Sequence, residues 1–264
     1  MLARYAEAMS SPSDHTDPDL PPVDARLVAP GVRYEIDDGK LVWVPPADEP
    51  HGVGHGALGA LLRAHRSDDR SVAIDMLTRT SETSDIAPDA SVYPTARDPV
   101  TGGRQLEELA FELLATSSLA RVGAKAAQLA TRGVRRVFGI DLTKRRVVEW
   151  STELGTWSIL AKDGAIVDPA LAVPLPHAVL LDAATADDAT VRAFRARRHP
   201  EFLAEREEGR EEGCRELTRE MLVAKFGALG PAHEAWIVTA DRAALERFAR
   251  RIVAATTIDD VFRE

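Results

Sequence analysis

The run Leu109-Ala110-Phe111-Glu112-Leu113-Leu114 limits the fold more than any other stretch, because it sets one carboxylate inside an apolar segment of strand length. A short apolar run of this kind reads as a strand buried on both faces. A helical stripe follows at Leu119, Val122, Ala126, Leu129 and Ala130, with Ser117 or Ser118 as its cap, and Gly133 ends it before a second strand pattern over residues 134–142. Strand, helix and strand at this spacing predict a parallel crossover, and with it a mixed α/β sheet that has Glu112 on a central strand. Burying a carboxylate is costly unless a cation meets it, so Glu112 calls for a metal ion or a lysine.

Asp89 and Lys125 are the nearest residues in sequence to share that duty. After Pro88, the residues Ala90, Val92 and Tyr93 read as a short strand opened by Asp89. Asp85 competes with Asp89 as a ligand, but it precedes Pro88 in a predicted loop, where an acid needs no special explanation. Lys125 falls at the edge of the helical stripe. Its long side chain either turns inward toward the carboxylates or snorkels to water.

Pro88-Asp89, Glu112 and Lys125 together resemble the PD-(D/E)XK nuclease superfamily and, within it, the Uma-type family of putative restriction endonucleases. The resemblance covers residues 32–181. In that family a Pro-Asp pair starts one hairpin strand, a Glu sits in the next, and the lysine has moved to the following helix. The usual lysine position, two residues after the Glu, is Leu114 here, while Lys125 stands eight residues before Gly133, at the migrated place. The resemblance implies a restriction-endonuclease-like mixed sheet flanked by helices, with Asp89, Glu112 and Lys125 as catalytic residues. Asp89 and Glu112 would hold Mg²⁺ or Mn²⁺, and DNA would be the substrate of an endonuclease reaction. It also implies that His51, at a helix start, lies near the metal; the plainer alternative is a histidine facing solvent. A second functional expectation stays open, in which Glu112 and Lys125 form a buried ion pair, no metal binds, and the fold serves as a binding or interaction module.

The net charge of −9 argues against a non-specific DNA coat. Much of it is local, since residues 201–220 carry eight acids and four arginines. Arg132, Arg135 and Arg136 form one basic cluster and Lys144, Arg145 and Arg146 another; each suits phosphate contacts or an ordinary solvated strand and turn. The single cysteine, Cys214, excludes an intramolecular disulfide. No apolar run approaches a membrane span, and a cytoplasmic location is expected.

The remaining pattern divides the chain into a disordered leader over 1–28, a nuclease-like domain over 29–182 and an all-α C-terminal extension over 183–264. Within the domain, Asp37-Asp38-Gly39 predicts a hairpin turn, and a helix begins at Asp48-Glu49-Pro50. That helix carries His51 and His55 on one face, the spacing of a zinc pair, but Gly52 replaces the Glu of the zincin motif and no third ligand follows. Gly209-Arg210-Glu211-Glu212-Gly213 and the ending Thr257-Ile258-Asp259-Asp260-Val261-Phe262 resemble the helical extensions of transposase-like superfamily members. The stripe Cys214, Leu217 and Met221 suits a homodimer through the C-terminal helices, or packing inside the same chain onto Trp236, Leu245 and Phe248.

Overall fold

The computed structural model describes residues 20–29, 31–32, 34–44, 46–114 and 119–263. Most of the expected leader, residues 1–19, and the expected cap at Ser117 or Ser118 lie outside the described residues. The chain forms two compact units that meet in sequence between Arg197 and Arg198.

The first unit opens with the hairpin β1 (Tyr34–Asp37) and β2 (Lys40–Trp43), turned by Asp38 and Gly39, both at positive φ as a two-residue turn of this hand requires. Helix α1 (Glu49–His65) starts where Asp48 accepts a hydrogen bond from the His51 N–H. Then come β3 (Arg70–Ile74), the short β4 (Thr78–Arg79) and β5 (Asp85–Ile86), β6 (Ala90–Pro94), β7 (Leu109–Leu114) and α2 (Leu119–Arg132). The sheet continues through β8 (Arg136–Asp141), β9 (Arg146–Ser151) and β10 (Thr156–Ile159), and a small pair, β11 (Ala165–Ile166) and β12 (Leu175–Pro176), leads to α3 (His177–Leu180) and α4 (Ala186–Ala196).

Six strands order as β10-β9-β8-β7-β6-β3, with β7 and β8 parallel and every other neighbour antiparallel. The crossover places β7 in the interior of the sheet, and all six of its residues are buried. Alternation divides them between two cores. Leu109, Phe111 and Leu113 join the core shared with Leu58, Leu61 and Leu62 of α1, whereas Ala110 packs in the core shared with Ala126 and Leu129 of α2. Glu112 therefore points to the α2 side. Opposite it in register stands Gly139, where a Cβ would meet Val148 Cγ2 at 2.8 Å and Leu114 Cδ1 at 3.0 Å.

A second sheet, β2-β1-β5-β4, accounts for two departures from the sequence expectations. Asp85 is not a loop acid: it lies in β5, is almost wholly buried, and its Oδ2 accepts from the backbone N–H groups of Leu27 and Val28. An acid that satisfies backbone donors has a structural reason to be there. Residues 21–28, expected in the leader, are held by the same region: Arg79 donates its N–H to the Val23 carbonyl and Arg132 donates to the Pro21 carbonyl.

The second unit comprises α5 (Pro200–Phe226), α6 (Pro231–Thr239), α7 (Arg242–Ala254) and α8 (Asp259–Phe262). Its core is Leu222, Ile237, Leu245, Ile252 and Val261, with Cys214, Met221 and Phe248 packed at the margin. Two of the three stripe residues of α5 are thus used inside the chain, while Leu217 stays exposed. The extension expected from residue 183 includes α4, which packs on α1 within the first unit. No helix among the described residues is long and apolar enough to cross a membrane.

Candidate functional site

Glu112 and Lys125 meet across the space between β7 and α2. Val122, Ala126 and Leu129 bury one face of α2, and Lys125 at the edge of that face turns inward, placing Nζ 3.4 Å from Glu112 Oε1 and 3.1 Å from Glu35 Oε1. Glu35 comes from the β1–β2 hairpin, and its Oε1 also accepts from the Ala87 N–H at 3.0 Å. Burial opposes the Lys125 charge, but the combined field of Glu112, Glu35 and Asp89 overrides it and holds the ammonium above its ordinary pKa. Burial pushes Glu112 up to about 8 against the pull of Lys125, helped by the neighbouring negative charges of Asp89 and Glu35. Three carboxylates share one ammonium here, so the most buried of them keeps its proton longest.

Asp89 precedes β6 at the end of its ladder with β7. Beyond the pair Ala90↔Phe111, the N–H of Leu113 donates to Asp89 Oδ2 at 2.6 Å, which ties the carboxylate to the residue after Glu112. The other oxygen, Oδ1, faces α1, 3.5 Å from His55 Nε2 and 3.9 Å from His51 Nε2. Burial works against the Asp89 charge, but His55, Lys125 and the Leu113 N–H outweigh it and hold the carboxyl below its usual range. His55 Nδ1 in turn stands 3.6 Å from Asp75 Oδ2, and these two carboxylates, Asp75 foremost, push the imidazole up to about 10. Glu35, His51, His55, Asp75, Asp89 and Lys125 line one cavity of about 560 Å³. Three carboxylates, an ammonium and two imidazoles around one opening suit hydrolytic chemistry on an anionic substrate.

Lys125 lies against Glu112, and Asp89 is tied to the same strand through the Leu113 N–H; Lys125 and Asp89 line the cavity, whereas Glu112 is not among its lining residues. Four of the six residues of the basic clusters are engaged elsewhere, while Lys144 and Arg145 are exposed. Arg135 and Arg136 pair with Asp168, Arg136 also pairs with Glu149, Arg146 pairs with Asp141, and Arg132 donates to backbone carbonyls. Sequence reasoning passed over Glu35 and Asp75. Glu35 sits in an alternating hairpin where a polar residue is ordinary, and Asp75 follows the strand pattern of β3, so neither carried a distinguishing signal. The third partner of the His51–His55 pair was missing from the local motif because Asp89 arrives from a different element.

The family model for Uma2, described as a putative restriction endonuclease, matches residues 20–177, more than half of the chain. The chain belongs to the Uma2 family. The match spans the hairpin, the six-stranded sheet and every residue of the cavity, and it ends before α4. No curated protein matches the chain. A crystal structure of a putative nuclease belonging to DUF820, from Anabaena variabilis ATCC 29413, is similar with a TM-score of 0.47 and 14% identity, over 57% of this chain and 90% of that one. The Uma2 core thus carries its cavity between the hairpin, α1 and α2.

Proposed function

We propose that this Uma2 protein is a divalent-cation-dependent endonuclease that hydrolyses phosphodiester bonds in DNA, in the cytoplasm. The observation that carries the reading is Lys125, held between Glu112 and Glu35 at the cavity that Asp89 also lines. The donor set fits a hard cation. Glu112 Oε1 is buried with the Lys125 ammonium at 3.4 Å as its charged neighbour and no shorter hydrogen bond, and Asp89 presents Oδ1 to the cavity while Oδ2 is anchored. Asp89 and Glu112 would hold Mg²⁺ or Mn²⁺, which when bound supplies Lewis-acid polarisation of the scissile phosphate and a more acidic water.

The chain's own residues supply the rest. Lys125 orients the attacking water or offsets the negative charge that builds on the phosphorus centre, and an ammonium is suited to this because it cannot itself ligate a cation. Glu35 keeps Lys125 charged and aimed. Glu112 gives up its proton to become a ligand, so cation affinity rises with pH through about 8.

The contact between Glu112 and Lys125 also favours a second reading, a binding module in which that ion pair is permanent. Titration calorimetry on the purified chain, run beside cleavage of duplex DNA, separates the two. The nuclease reading expects Mg²⁺ or Mn²⁺ binding that disappears in Asp89→Asn and in Glu112→Gln, together with metal-dependent cleavage. Unchanged binding in both variants, or no cleavage by the wild type with either ion, leaves the binding module.

A further inference from the structure

We propose that His51, His55 and Asp89 form a binding site for a transition-series dication, of the Mn²⁺, Co²⁺ or Zn²⁺ class, which discriminates against Mg²⁺ at this cavity. The inference rests on the reading of Asp89 as a metal ligand and adds the chemical class of the ion. One ligand atom from each residue, two imidazole nitrogens and a carboxylate oxygen, lies within 4.8 Å of the others.

The geometry is close to that of a coordinated set. Ligand atoms about 2.0–2.1 Å from a tetrahedral ion stand roughly 3.4 Å apart. His55 Nε2 and Asp89 Oδ1 are already 3.5 Å apart, and His51 Nε2 follows at 3.9 Å. The two imidazoles occupy successive turns at the start of α1, with ring centroids 4.3 Å apart, so both reach the same side of the helix. His55 Nε2 is buried and makes no hydrogen bond; its one charged neighbour on that side is Asp89 Oδ1, the oxygen that would share the ion with it.

Asp75 supports the assignment independently. Its Oδ2 stands 3.6 Å from the outer nitrogen of His55, on the side where a carboxylate orients a metal-binding histidine once the pair closes to hydrogen-bond distance. Its backbone sits at φ +51°, a region that is strained for a non-glycine residue, while its N–H donates to the Asp89 carbonyl at 3.2 Å. That conformation brings the largely exposed Asp75 carboxylate up to His55 and couples its backbone to the segment that carries Asp89.

Imidazole nitrogens are poor ligands for Mg²⁺ and good ones for the later dications, so two of them beside one carboxylate set a preference. The full chain, stripped with chelator, is titrated with Co²⁺ by visible absorbance, with Zn²⁺ by competition and with Mg²⁺ by calorimetry. The expected result is Co²⁺ and Zn²⁺ binding tighter than Mg²⁺ by about a hundredfold or more, and a Co²⁺ spectrum with nitrogen ligation. His51→Ala and His55→Gln weaken Co²⁺ by about tenfold to a hundredfold while Mg²⁺ affinity holds, and Asp75→Asn has a smaller effect of the same sign. His51 is the more exposed imidazole, so its variant keeps the test open should His55→Gln fail to fold. Equal affinity for Co²⁺ and Mg²⁺, or Co²⁺ binding unchanged in the folded histidine variants, overturns this inference and leaves the nuclease reading standing if Asp89→Asn still abolishes Mg²⁺ binding. Failure of every dication to bind removes both.

Discussion

Strand β7 and helix α5 treat charge in opposite ways. In β7 all six residues are buried and one of them is a carboxylate; in α5, of 27 residues, only Thr218 and Leu222 are buried, although acids and arginines fill most of its first half. On α5 the charges meet each other at the surface, as Arg215 meets Glu211 and Arg210 meets Glu207, and exposed pairs of that kind contribute little. On β7 a single Glu112 is shielded from water, and the fold has to supply Lys125 from α2 to meet it. A charge is informative in proportion to what it costs to place, so one residue of β7 says more about chemistry than twenty of α5.

Four substitutions or conditions test that contrast. The largest effect is expected at Phe111→Ala, which empties the ring stacked on Phe138 at 5.1 Å in the middle of the sheet and should lower the unfolding free energy by about 3–5 kcal/mol in chemical denaturation. A loss under 1 kcal/mol would mean that β7 is not the tightly packed centre described above. Next, Lys125→Ala should reduce DNA cleavage by roughly a hundredfold while metal binding by calorimetry persists. Loss of both together would assign Lys125 to the architecture of the metal site instead of the reaction.

A smaller effect is expected from pH. Glu112 binds its proton more tightly in the folded chain than at its ordinary value of 4.5, so its contribution favours folding fully below that value and is lost as pH rises through about 8. His55 behaves alike, with its contribution complete below 6.5 and lost as pH rises through about 10. Asp89 has the opposite sign, adding stability above its ordinary 3.8 that disappears as pH falls through its lowered value. Denaturation midpoints should therefore decline from neutral pH toward pH 10. Glu112→Gln should flatten the lower part of that decline and His55→Gln the upper, and parallel curves in all three proteins would contradict the electrostatic picture of the cavity.

The smallest effect is on α5. Gly209 and Gly213 sit inside the helix with nothing within 4 Å of where a Cβ would be, so alanine at each should raise the stability of that unit by about 1 kcal/mol. A destabilising result would show that this face of α5 is covered, as a homodimer would cover it, and light scattering of the same samples would report the dimer directly. A monomer is the outcome that matches Cys214 and Met221 packed on the helices of their own unit.

The elements were legible because their signals are local. The hairpin turn at Asp38-Gly39, the Asp48 cap of α1 and the parallel crossover around α2 each depend on a few adjacent residues and a period, and all are present. Asp85 was misplaced because a two-residue strand such as β5 has no period to read, and its burial depends on Leu27 and Val28, more than fifty positions away in sequence. The Pro-Asp pair, Glu112 and Lys125 could be singled out because the family pattern spans them and because a carboxylate in an apolar strand needs a cation wherever the strand goes.

Sequence by itself determined that β7 is buried, that its carboxylate must be met by positive charge, and that the C-terminal third is helical, since each follows from periodicity and desolvation within one segment. Only the tertiary structure decided what gathers beside that carboxylate and around Asp89. Glu35 from the hairpin and Asp75 beyond β3 carry no mark of the site in sequence, and the histidine pair of α1 carries none of Asp75, because the angles and registers that bring separate elements together are set by packing across the whole sheet.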